Sequence, residues 1–269
     1  FFFKQKTAYE IPKRDWSSDV CSSDLVARPF HYRWLIPCLC GDSPTNWRAM
    51  RLVSLAAVCS AAFLYGGTGW RGLFVAVFPI GCAGVWRIHR DHPVLVDLPA
   101  MAVCLWAAVC ADRGWWIPAV MLAVLAGTIK ETSPVFAALW AWNPILLVGL
   151  AAPAVRHLQH AGPDVLDDEN RWILQHPFRA SWKYHRGLPA ILWVLPWGAG
   201  LAGLANLSWP LAVTVLVAYA QCVMATDTVR LYQWAWPAVA VAAATVVPPA
   251  WLLPLIVLHL SNPYASRGG

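Results

Sequence analysis

The stretch LPAMAVCLWAAVCA (Leu98–Ala111), DRG (Asp112–Gly114) and WWIPAVMLAVLAGTI (Trp115–Ile129) decides the class of fold. Each long run is apolar all round, with neither the two-residue alternation of a half-buried strand nor the polar stripe of a surface helix. Two such runs joined by one short polar turn read as antiparallel helices in a lipid environment, because a bilayer core needs about 20 apolar residues per helix and somewhat fewer where flanking side chains snorkel.

Outward from that pair the pattern repeats. Towards the N-terminus lie Arg51–Tyr65 and Gly72–Trp86, and after the pair comes Pro134–Val155. A second group follows at Leu188–Ala205, Pro210–Ala225, Trp234–Val247 and Ala250–Leu260. Pro118, Pro144, Pro196, Pro237 and Pro254 sit inside these runs or at their ends, which membrane helices tolerate when neighbours re-satisfy the freed carbonyls. The expected fold is all-α, a polytopic transmembrane helical bundle of about eight or nine spans. The connections GGTG (Gly66–Gly69), ADRG (Ala111–Gly114) and KETS (Lys130–Ser133) are tight. Only Arg156–Gly187 makes a long polar loop, and its basic half (Arg171, Arg179, Lys183, Arg186) places it on the cytoplasmic side.

Residues 1–25 stand apart. KQKTAYEI (Lys4–Ile11) and RDWSSDVCSSDL (Arg14–Leu25) are what results from translating the attachment and read-primer segments of a sequencing-library adapter. They are excluded from fold reasoning as an artefact. The expectation is a single membrane domain over residues 26–269 whose natural N-terminus has been overwritten, a truncated fragment.

Composition agrees with lipid as the solvent. The chain is 59% hydrophobic with mean hydropathy +0.51, and its charges cluster between apolar runs. The net charge of +6 therefore reads as loop charge, and no basic stripe with interleaved aromatics points to nucleic acid. Cys59, Cys82, Cys104, Cys110 and Cys222 lie in apolar runs as small hydrophobes. Cys38 and Cys40 have poor spacing for zinc and no second Cys/His pair nearby, so no metal or cofactor is expected from them. Trp70, Trp86, Trp115, Trp116, Trp140, Trp142, Trp209, Trp234 and Trp236 fall near span ends and read as an interfacial aromatic belt. Serine and cysteine nucleophile motifs, Gly-rich phosphate loops and dinucleotide fingerprints are absent.

Ionisable residues beside membrane spans are costly unless paired or wet, so they carry the functional information. Three places qualify. In RIHRDHPVLVDLPA (Arg87–Ala100), Asp97 stands at the mouth of a helix. The plain reading makes it an N-cap ahead of Pro99. The functional reading has Asp97 binding an acceptor hydroxyl or a metal while Arg87, His89, Arg90 or His92 grips phosphate. In KETS, the plain reading is an interfacial ion pair with a hydroxyl cap; the functional one has Lys130 neutralising a lipid-linked phosphate with Glu131 orienting it. In DTVRLY (Asp227–Tyr232), an i, i+3 pair of Asp227 with Arg230 stabilises a helix end, or Arg230 with Tyr232 clamps phosphate.

Four motifs together resemble the GT-C glycosyltransferase superfamily, which includes the protein mannosyltransferases and the lipid A aminoarabinose transferases. They are VDLPA (Val96–Ala100), KET (Lys130–Thr132), the R-x-Y-x-x-x-x-P start (Arg230, Tyr232, Pro237) and RPFHYRWLIP (Arg28–Pro37), similar to the end of that superfamily's first external loop. The resemblance spans most of Val26–Pro237. It implies transfer of a sugar from a polyprenyl-phosphate donor to an acceptor on the non-cytoplasmic face of a bacterial inner (plasma) membrane. It implies Asp97 as the acidic residue of the second external loop, with Lys130 and Arg230 contacting phosphate and Arg90, His92, Glu131 and Tyr232 as further substrate contacts. The family's base would stand in the first external loop, upstream of Val26, where the adapter now lies.

Counting spans from one lost helix puts Asp97 and Lys130 outside and Arg156–Gly187 inside. It also leaves Arg230 inside, away from the donor, unless the break at Asn143-Pro144 makes a re-entrant pair that flips the parity. The competing class is a transporter or lipid flippase using the same charges, which predicts an inverted repeat and charges near mid-span.

Overall fold

The computed structural model describes residues 35–41, 43–91, 95–159, 172, 175–186, 193–223 and 228–261. Among these the chain is all-α, with no strand. The elements are α1 (Leu35–Cys40), α2 (Pro44–Tyr65), α3 (Gly69–Gly81) leading through a π-helical turn Ala83–Arg87 into α4 (Ile88–Asp91), α5 (Asp97–Asp112), α6 (Trp116–Ile129) and α7 (Ser133–Ala141). A 3-10 segment Pro144–Leu150 then runs into α8 (Ala151–Gln159), and α9 (Pro177–His185) follows. The last group is a 3-10 segment Leu195–Gly200 with α10 (Leu201–Leu204), α11 (Trp209–Ala220) ending in Gln221–Val223, α12 (Thr228–Tyr232) with Gln233–Ala235, α13 (Trp236–Val246) and α14 (Pro249–Leu260). Residues 1–25, most of the Arg28–Pro37 motif, His92 and Asp227 lie outside the described residues.

Local chemistry sets the boundaries. Ser43 caps α2 by accepting from the Asn46 N–H at 3.3 Å, with Pro44 in the first turn, and Gly66 N closes the other end on Ala62 O at 2.8 Å. Pro79 precedes the break at Cys82, where α3 bends by 67° into Ala83–Arg90.

By length and composition one described helix, Pro44–Tyr65, is sufficient by itself to cross a membrane, and the bent pair Gly69–Gly81 with Ala83–Arg90 qualifies only as a unit. Trp116–Ile129, Trp209–Val223 and Pro249–Leu260 are apolar but shorter. The hydropathy count of eight or nine spans thus overstates the number of full-length helices: runs that read as continuous are broken by proline and glycine. Leu188–Ala205 is such a run, interrupted at Pro196 and at Gly198, whose φ of 51° has no place in a right-handed helix.

The most consequential departure is Pro134–Val155, expected as one span and observed as a hairpin. Residues preceding proline are driven out of the helical region. Accordingly α7 stops at Ala141, Trp142 takes φ 48° and ψ 44°, and extended Asn143 accepts from the Ile145 N–H at 3.0 Å to start the return segment. Gly149 then packs against Ala123 and Pro134, and Gly127 against Gly149 and Pro153. The return segment therefore runs alongside α6 in the same direction, back towards Lys130.

This hairpin fixes which element ends lie together. At one end of the bundle stand the start of α5, the end of α6, α8 and α12; Arg51 reaches it from α2 to bond His89 O at 3.2 Å and Arg90 O at 2.8 Å. At the other end Tyr65 donates to Trp140 O at 2.8 Å. Arg156 on α8 leads towards the Asp97 end, so the expectation that separated its loop from Asp97 is overturned. The expectation that left Arg230 on the far side falls with it.

Candidate functional site

Asp97 opens α5, Lys130 follows α6, and Arg230 lies on α12, so nothing in chain order makes them neighbours. The bundle brings them together. The Lys130 ammonium bonds Oδ1 of Asp97, and the Arg230 Nε lies 3.8 Å from Oδ2. Trp234 donates its indole N–H to the same Oδ1 at 3.2 Å, and its ring lies 5.1 Å from the Lys130 Nζ. The side chains are sealed: 4% exposed for Asp97, 6% for Lys130 and 13% for Arg230. Two cations face one carboxylate away from water, an arrangement whose desolvation cost is repaid only by close geometry.

Asp97 is not a helix cap. Val96 occupies that position without a side-chain hydrogen bond, and Asp97 stands in the first helical turn with its carboxylate turned to the cations. The Leu98 N–H, one of the donors a cap would satisfy, instead bonds Nε2 of buried His89 at 3.0 Å. Accepting that bond requires Nε2 to carry no proton, so the geometry fixes His89 as a neutral ring. His89 therefore supports the backbone under Asp97 instead of holding phosphate as a cation.

The other expected residues divide. Lys130 leaves the KETS turn for Asp97, and the hydroxyl of Thr132 makes no capping bond to α7. Glu131 is half-buried beside it. Arg230 points at Asp97, while Asp227, its expected local partner, lies outside the described residues. Tyr232, expected at the phosphate, is wholly buried: its ring stacks on Tyr219 at 4.8 Å and packs on Trp197 at 5.4 Å. Arg90 is exposed at the surface, with its carbonyl held by Arg51.

Two site residues escaped the sequence reading. Trp234 was grouped with the interfacial tryptophans, yet it is buried, stacked with Trp140 at 6.1 Å and packed on Phe136 at 5.0 Å. Trp86, Trp140 and Trp236 also leave the belt for the interior or its edge, whereas Trp70, Trp115, Trp116, Trp142 and Trp209 stay exposed. Gln233 was overlooked. Fully buried, it accepts from Gly84 N at 2.6 Å and donates to Pro196 O at 3.0 Å. One amide thereby satisfies backbone groups of two broken helices and fixes the segment that presents Arg230 and Trp234. A lone glutamine between aromatics in an apolar stretch is the signal that marked it.

Among the described residues no cluster of His, Cys, Asp and Glu could hold a metal ion. No protein-family model matches the chain, and no curated protein or solved structure does.

Proposed function

We propose that the chain is part of a membrane glycosyltransferase of the GT-C type, which moves a sugar from a polyprenyl-phosphate donor to an acceptor on the non-cytoplasmic face of a bacterial inner membrane. The observation that carries this reading is the convergence of Lys130 and Arg230 on Asp97 from far apart in the sequence. The motifs that pointed to a donor site separately in the sequence meet at one end of the bundle, and the Trp142 hairpin removes the parity conflict that set Arg230 apart.

Lipid as the surrounding solvent is supported by the outer surface. Ile117, Met121, Leu216, Leu253 and Val257 are all more than half exposed, a cover that water disfavours and acyl chains accept. In this reading the short apolar helices are spans completed by their 3-10 and π-helical extensions, giving the polytopic bundle.

The chemistry follows from charge. A glycosyl phosphate leaves more readily when cations neutralise its oxygens, and an acceptor hydroxyl attacks more readily when a carboxylate takes its proton. Asp97 holds Lys130 and Arg230 in place. A donor phosphate draws the two cations to itself, which frees the Asp97 carboxylate to accept a hydrogen bond from the acceptor hydroxyl. Trp234 keeps Lys130 aligned through the move. A lipid flippase would use the same buried charges to carry the phosphate through the bundle, and the sealing of the cluster between helices is the observation in its favour.

Binding of undecaprenyl phosphate to the purified chain in detergent tests the donor site without requiring turnover. Lys130→Met and Arg230→Gln are expected to weaken it at least tenfold each, while Arg113→Gln at the opposite end leaves it unchanged. Equal affinity in all variants would sink the proposal. Given the complete gene, transfer of a labelled sugar separates transferase from flippase.

A further inference from the structure

We propose that α9 (Pro177–His185) is an interfacial helix that binds an anionic lipid surface at the Asp97 end of the bundle. The proposal rests on the membrane reading but not on the transfer chemistry.

The helix has a fixed inner side. Ala180 is 1% exposed, and His185 meets the edge of Trp193 at 5.2 Å, with the helix packed against Gln221–Val223. Trp193 in turn packs on Tyr232 at 6.4 Å, which ties this docking to the segment carrying Arg230. The outer side is therefore set by packing.

That outer side carries two parallel rows. Phe178 and Trp182, one turn apart, are 79% and 70% exposed. Arg179 is exposed beside them, with Arg186 at the end of the same face, while Lys183, one turn on from Arg179, is exposed with its ammonium 5.1 Å over the Trp172 ring. In a helix these positions share one surface. Two aromatics of this size exposed to water in a nine-residue helix would be a liability. At a bilayer interface the rings lie at headgroup level and the cations meet phosphate, which is the pattern of a helix lying in the interface. Zwitterionic headgroups would satisfy the rings alone. The row of cations is matched by a surface with net negative charge, which attracts basic segments and loses that attraction in salt.

The test is amide hydrogen exchange of the full chain in nanodiscs of phosphatidylcholine, with and without phosphatidylglycerol. Exchange reports local opening, so lipid binding is expected to slow Pro177–His185 about tenfold or more in the anionic discs. The double variant Arg179→Gln/Arg186→Gln is expected to abolish that difference without changing exchange in α5 or α13. Phe178→Ser/Trp182→Ser should raise exchange in the anionic discs. Identical exchange in the two lipids, or no effect of the aromatic substitutions, overturns the proposal. Neither outcome touches undecaprenyl phosphate binding at Lys130 and Arg230, so the two readings fail separately.

Discussion

Trp234 gives Asp97 its indole N–H while holding its ring beside the Lys130 ammonium, so one side chain touches both members of the buried ion pair. The carboxylate is ordered from three directions, by Lys130, Arg230 and Trp234, which leaves it little freedom to reorient. A cluster of this kind makes different predictions for removing one charge and for removing all.

Asp97→Asn leaves two buried cations without their counter-charge and is expected to cost about 3–5 kcal/mol of stability. The triple variant Asp97→Leu/Lys130→Met/Arg230→Met removes every charge and should unfold no more readily than the wild type, since apolar replacements of buried ion clusters are often neutral or stabilising. It should nonetheless bind no undecaprenyl phosphate. Thermal unfolding in detergent alongside the binding titration checks both halves. Retained binding by the triple variant would reduce the cluster to a structural device.

Gly149 lies where a Cβ would collide with the Ala123 carbonyl, and backbone cannot yield as a flexible side chain can. Gly149→Ala is expected to destabilise the fold by about 1–3 kcal/mol, as overpacking does. Gly114→Ala is the useful contrast: its surroundings are open but its φ is 73°, so its cost arises from backbone strain alone. If Gly149→Ala melts with the wild type, the return segment does not pack along α6.

Because the hairpin re-enters, a reporter joined after Gln159 should report the same side as one joined after Ile129 and the opposite side to one joined after Asp112. Alkaline phosphatase, active only outside the cytoplasm, is expected to be active after Gln159 and Ile129 and inactive after Asp112. Activity after Asp112 alone would reverse the assigned face and count against the transferase reading.

Burial against the α9 docking site holds the His185 imidazole below the ordinary histidine range, an effect opposed by its contact with the Ser181 carbonyl. The docked helix thus favours the neutral ring, whereas an undocked His185 takes up a proton near pH 6.5. Docking is fully present above that pH and weakens as the pH falls below it. Hydrogen exchange across Pro177–His185 should accelerate between about pH 7.5 and 5.5 more steeply, after correction for the intrinsic rate, than in His185→Gln. Parallel profiles would dismiss the effect.

The helical class was legible because long apolar runs such as Leu98–Ala111 and Trp115–Ile129 show neither the two-residue alternation nor the short length of strands. The number of full spans was not, since hydropathy averages over the breaks at Cys82, Trp142 and Gly198. Asp97, Lys130 and Arg230 stood out as charges in costly places, but their meeting is a tertiary fact that spacing along the chain does not encode. The same holds for Trp234: a tryptophan before an apolar helix looks alike whether it faces headgroups or a carboxylate. The break at Asn143-Pro144 was visible in sequence, while the direction of the returning chain depended on Gly127 and Gly149 allowing close backbone approach.

The left-handed turn at Trp142 has one more consequence. A segment that enters and leaves by the same face is topologically silent: every helix after it keeps the orientation it would have had without it. In the membrane reading, Ser133–Gln159 is thus a stretch that could be lengthened, exchanged or lost between related chains without inverting whatever follows. Variation in such proteins should concentrate there, in units of whole hairpins, while single crossing helices remain fixed in number.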